Sequence, residues 1–261
     1  MLNELSTAWN FFSQRPVEIL ALGWFLFCWF GYGFVSDNLV KSSHGLSARM
    51  HLYRVQWMAS VLKRENRILD INIISALHQS ISFFASTSIL IIAGLLAVLG
   101  TSDAALEIIR QLPFSIKTTK GMWYTKVIVL LSIFVYAFFK HTWALRQLNY
   151  ASIMLGAMPP AHESDTKFTA SARRLAMVLT LAAKHLNRGL RTYYFGIATL
   201  SWFVNPLLFM ISSGVVVLVM YRREHRSHIV KLLNLPGEEA VAPHQNQEFS
   251  AALPSSTTTS D

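Results

Sequence analysis

Stretches of about twenty apolar residues recur along this chain, and shorter polar and basic segments separate them. The first, residues 17–35 (VEILALGWFLFCWFGYGFV), is 19 residues long. At ~1.5 Å per residue it matches a hydrocarbon layer of ~30 Å, so it is predicted to span a membrane. Pro16 suits a first helical turn, and Glu18 beside it faces the positive end of the helix dipole, as an interfacial residue would. No small-residue cleavage site follows the run, which argues against a removable signal peptide. A second helix is predicted from about residue 67 to 100, with its uncharged section, 81–99 (ISFFASTSILIIAGLLAVL), in the membrane. The third span is 122–139 (MWYTKVIVLLSIFVYAFF), where Lys126 can snorkel to the nearer interface. The fourth stretch, 192–220, has 29 residues and is interrupted by Asn205 and Pro206. A single proline-kinked crossing is the expected reading; the alternative is a hairpin that reverses at Asn205–Pro206.

The segments between spans also have helical periodicity. Residues 46–67 and 169–188 are predicted to form amphipathic connecting helices. In the second, Arg173, Arg174, Lys184, His185 and Arg188 share one side of the helical wheel and Leu175, Val178, Leu179, Ala182 and Leu186 the other. Met177 and Leu181 fall on the charged side. Such a helix either lies in the headgroup layer against anionic lipid or packs on the other connector. The fold class is therefore all-α integral membrane, with about four transmembrane helices and amphipathic connecting helices. It divides into a helical membrane domain over residues 1–234 and a tail over 235–261 too poor in apolar surface to fold.

Composition narrows the partners. Only 14% of the 261 residues are charged, against roughly 25% in a soluble domain. The formal charge of +9 would suit nucleic acid, but the basic residues flank apolar runs, so a lipid bilayer with anionic headgroups is the expected partner and nucleic acid is not. Lys and Arg concentrate after spans one and three, which places those connectors in the cytoplasm and the N-terminus outside, in a bacterial inner membrane or a plasma membrane. A fourth crossing would put the tail outside, although its own basic residues favour the inside. Cys28 is the single cysteine, so no disulfide forms within the chain, and no cofactor or metal motif is present.

Polar residues near the membrane are the lead to function. On the second helix Arg67, Asp70, Ser75, His78, Ser82 and Ser86 fall within less than half the wheel, and spans two and three are expected to be antiparallel neighbours. Asp70, His78 and Gln79 would then approach Lys140, His141, Arg146 and Asn149. The expected result is an ion pair of Asp70 with Arg146 or Lys140, or, in a sharper reading, a mouth that binds an ion or small anion.

The strings RILD (67–70), SFFAS (82–86), HTWALRQLNY (141–150) and LNRGLRTYYF (186–195) resemble an uncharacterised family of multi-pass bacterial and plant membrane proteins, known as domain of unknown function 599. The resemblance runs over about residues 15–230 and implies a multi-pass protein, with no activity or site residue attached to it. Two function classes follow from the residues. One is an oligomeric channel or transporter for small ions or solutes, formed around a symmetry axis because four spans enclose little space. The other is a non-transporting scaffold or regulator that acts through its basic cytoplasmic helices.

Overall fold

The computed structural model describes residues 16–39, 46–100, 119–159 and 166–225. The predicted tail over 235–261 and residues 101–118 of the connector between spans two and three lie outside these. The described residues form six helices: α1 (Pro16–Leu39), α2 (Leu46–Leu62), α3 (Ile68–Gly100), α4 (Lys120–Gly156), α5 (Thr166–Leu200) and α6 (Pro206–His225), with a 3-10 turn at Ser201–Phe203 before α6. Local chemistry sets several of their ends. The Asn66 side chain accepts the Ile68 N–H at 2.9 Å at the start of α3. Thr119 caps α4, and the Asn205 carboxamide oxygen accepts the Leu207 N–H at 2.8 Å, with Pro206 at the first position of α6.

Four helices are long and apolar enough to cross a membrane: Pro16–Ser36, Ile68–Gly100, Lys120–Gly156 and Pro206–Glu224. The expected count of four and the all-α class therefore stand. The expected single kinked crossing over 192–220 does not. The chain leaves α-helical geometry at Ser201–Asn205 and doubles back, so that Ser201 and Ser212 hydroxyls meet at 2.7 Å and Arg223 reaches the Tyr194 hydroxyl at 2.8 Å. The reversal has a local cause. Ser201 O takes the N–H groups of both Val204 and Asn205, and Pro206 has no N–H with which to continue α5.

Direction follows from contacts between helices. Trp24 of α1 donates to Met210 O, while Tyr32 and Ser36 both donate to Glu224, so α1 and α6 run parallel. They leave the starts of α1 and α6 at one end of the bundle and their finishes at the other. Connectors after α1 and α4 and the finish of α6 consequently share an end, termed the basic end below.

Two cores are stacked along this axis. One gathers α1, α4, α5 and α6 around Phe25, Phe195, Trp202 and Phe209. The other joins α2, α3, α4 and α5 around Met58, Ile74, Leu148, Leu175 and Leu179. Helices α4 and α5 serve both, because 37 and 35 residues reach ~50–55 Å, well beyond a ~30 Å hydrocarbon layer. The amphipathic stripe read in residues 169–188 is real: Leu175, Leu179 and Ala182 are buried, and Met177 and Leu181 are exposed. Its apolar side is covered by protein, including α2, so it packs as a helix pair and does not lay that face in lipid.

Candidate functional site

Asp70 is completely buried at the base of α3, but its partners differ from those expected. Arg64 approaches its carboxylate at 2.6 Å and the Trp57 indole donates to the same oxygen at 2.7 Å. The short α2–α3 turn brings these groups back onto Asp70 from within the same connector. Arg146 instead donates to the Tyr150 hydroxyl at 2.7 Å, and Lys140 sits 4.9 Å from the centre of the Tyr136 ring. The cause is depth. Phe84 of α3 stacks on His141 of α4, whereas Arg67, beside Asp70, donates to Met158 O. By that register Asp70 lies level with Leu155 of α4, about nine residues and ~13 Å beyond Arg146 and farther still beyond Lys140. His78 is half-buried with its Nδ1 3.5 Å from the Ser82 hydroxyl, and Gln79 and Asn149 are exposed. The seven residues are thus dispersed along two helices.

Among them, His141 is as enclosed as Asp70. It is fully buried, stacked at 5.7 Å on Phe84 and edge-on at 5.5 Å to Tyr193. Neither of its ring nitrogens has a hydrogen-bond partner among the described residues. The ring fits because residue 189 is glycine: a Cβ there would lie 2.5 Å from His141 Nε2. Tyr193 ties the same junction to α3 through Phe84 O at 2.8 Å and the Ser88 hydroxyl at 2.9 Å. Two of the four strings singled out in the sequence, those at 141–150 and 186–195, thus meet at one crossing of α4 and α5.

Sequence reasoning missed the ion pair in which both partners are buried. Glu18 and Lys126, read separately as an interfacial residue and a snorkelling cation, form a buried ion pair at 3.2 Å. The Trp202 indole donates to Glu18 Oε2 at 2.5 Å, and Lys126 donates to Trp202 O at 2.8 Å while lying 5.4 Å from the ring centre. One cluster therefore binds α1, α4 and the reversing turn together. A signal for it existed: spans one and three begin on the same side, and each carries one ionisable group near its start. At the opposite end, Glu224 accepts from Tyr32 at 2.7 Å and Ser36 at 3.0 Å, and Arg191 lies over the Tyr32 ring at 5.6 Å. Among the described residues no three His, Cys, Asp or Glu converge as metal ligands.

Four bilayer-length apolar helices, buried carboxylates paired with cations inside the bundle and an apolar outer surface define a multi-pass helical membrane protein. Residues 20–229 match the family described as protein of unknown function, DUF599, and the chain belongs to that family. No curated protein and no solved structure matches it.

Proposed function

We propose that the protein works as a homo-oligomer that passes a small ion or solute between protomers, with α3 facing the symmetry axis. The observation that carries this is the surface of α3. Its buried residues are Asp70, Ile74, Ile81, Ala85 and Ser88, one stripe at helical spacing. Roughly 130° around the wheel, a second stripe of Asn72, Ser75, Gln79 and Ser86 is exposed, with half-buried Ser82 in line and Ala93, Ala97 and Gly100 continuing it. Polar and small residues facing outward from a spanning helix favour a protein neighbour or a water-lined path over lipid tails. A path through a single protomer is disfavoured, because Phe25, Phe195, Trp202 and Phe209 fill the core of the membrane bundle with rings 4.9–5.8 Å apart. In this reading the basic end faces the cytoplasm of a bacterial inner membrane or a plasma membrane, close to anionic headgroups, which also accounts for the charge after α6.

The scaffold reading draws support from the second core, which gives the basic end a packed helical unit extending beyond the membrane span. Reconstitution separates the two. A closed ring in nanodiscs, with ion flux in liposomes that Gln79→Leu and Ser86→Leu both reduce, supports the channel. A monomer without flux refutes it and favours the scaffold.

A further inference from the structure

The seam between α2 and α5 carries a concentration of positive charge that packing alone does not require. Segments 46–67 and 166–191 contain eleven Lys and Arg but a single acidic residue, Glu65. Asp70, the next acid in the chain, is already engaged by Arg64. Within the seam, His51 of α2 meets Thr180 of α5, Nδ1 to Oγ1, at 2.9 Å. Thr180 donates its own proton to Ala176 O at 2.8 Å, so its oxygen accepts from His51 Nδ1–H. That fixes the ring and leaves Nε2 directed away from the contact. Burial first, and then the nearby charges of Arg54, Lys184 and Arg173, hold His51 below its ordinary value near 6.5. His51, Arg54, Thr180 and Lys184 are each half-buried, accessible from solvent but partly shielded. Arg54 and Lys184 have no hydrogen-bonding or ion-pair partner among the described residues.

Like charges gathered on a partly desolvated surface repel one another, and a bound anion removes that cost. We infer that the α2–α5 seam is a binding site for a phosphorylated anion, held by Arg54, Lys184 and Arg173 with His51 Nε2 as an additional donor. Guanidinium forks and an ammonium suit phosphoryl oxygens, and His51, pinned by Thr180, is aligned to contribute a proton once the anion offsets its neighbours. Lys184 lies seven residues, ~10 Å, along α5 from Arg191, which packs at the level of Tyr32 and Glu224 near the end of the membrane bundle. Both a dissolved phosphate compound and a lipid headgroup phosphate supply the required chemistry at that depth.

The test uses full-length protein in phosphatidylcholine nanodiscs with ring-labelled histidine, the His51 resonance being assigned by its loss in His51→Gln. Inorganic pyrophosphate is expected to raise the pH at which His51 titrates. Arg54→Gln and Lys184→Gln should each weaken that response about tenfold, Arg54→Lys should retain most of it, and Lys63→Gln, an exposed charge just past the end of α2 that is not among the four anion-holding groups, should leave it unchanged. A rise produced by phosphatidic acid in the nanodisc, but not by pyrophosphate, assigns the site to a lipid headgroup. Melting temperatures of the variants, expected to match the parent, separate loss of binding from loss of fold. If neither probe moves the His51 titration, or if Lys63→Gln weakens it as much as Lys184→Gln does, the site does not exist.

Discussion

Replacing Lys126 with methionine removes the cation that faces Glu18 and leaves a carboxylate almost fully buried between α1, α4 and the reversing turn. Glu18 and Lys126 are 6% and 1% exposed, so solvent does little to screen the change. Removing one member of a buried pair typically costs ~3–5 kcal/mol, because the surviving charge keeps its desolvation penalty without its partner. Lys126→Met also frees the Trp202 carbonyl that now accepts from Nζ, while Trp202 Nε1 retains Glu18 as acceptor. Glu18→Gln should be milder. The amide can still accept from the Trp202 indole, and the ammonium keeps the Trp202 carbonyl and ring. The double variant Glu18→Gln/Lys126→Met, which buries no charge, should recover much of the loss. For a helical domain of this size, ~3–5 kcal/mol corresponds to a fall in melting temperature on the order of 10 °C. The assay is thermal unfolding of the purified protein in one detergent, with the double-mutant cycle giving the coupling energy. A Lys126→Met protein as stable as the parent, or a double variant whose loss equals the sum of the two singles, would refute the pairing.

Further predictions address the remaining contacts. Gly189→Ala places a methyl group 2.5 Å from His141 Nε2 and should cost ~1–3 kcal/mol by overpacking; His141→Ala in the same chain should relieve it in a melting experiment. Asp70→Asn should destabilise by ~1–2 kcal/mol through loss of the charged contact with Arg64, whereas Arg146→Gln, on the exposed side of α4, should change stability by less than ~0.5 kcal/mol. In a Cys28→Ser background, single cysteines at Ser43, Asp165 and Ser255 should all resist a membrane-impermeant thiol reagent in intact cells. A cysteine at Ser102, following α3 at the other end, should react. Labelling of Ser255→Cys before lysis would contradict the reversal at Ser201–Asn205 combined with a cytoplasmic basic end.

Class and element content were readable without tertiary structure, because spanning a bilayer is a demand on local composition and length. Each helix that enters hydrocarbon must carry about twenty apolar residues of its own, and runs such as 17–35 and 81–99 satisfy that independently of what they touch. The amphipathic stripe of residues 169–188 was legible for the same reason, down to the exposure of Met177 and Leu181. Which residues share a depth is not a local property. The placement of Asp70 beside Arg64 and Trp57 instead of Arg146 depends on how far α3 and α4 continue past the membrane before the chain turns. Asn205–Pro206 permitted either a kink or a reversal. The reversal is held by contacts distant in sequence: Ser201 with Ser212, Tyr194 with Arg223, and Trp202 with both Glu18 and Lys126. Composition and periodicity thus determined that this chain crosses a membrane as helices. Only the tertiary structure decided which charges meet inside the bundle: the Glu18–Lys126 pair depends on two helices presenting their groups at one level, and no short window of sequence contains both.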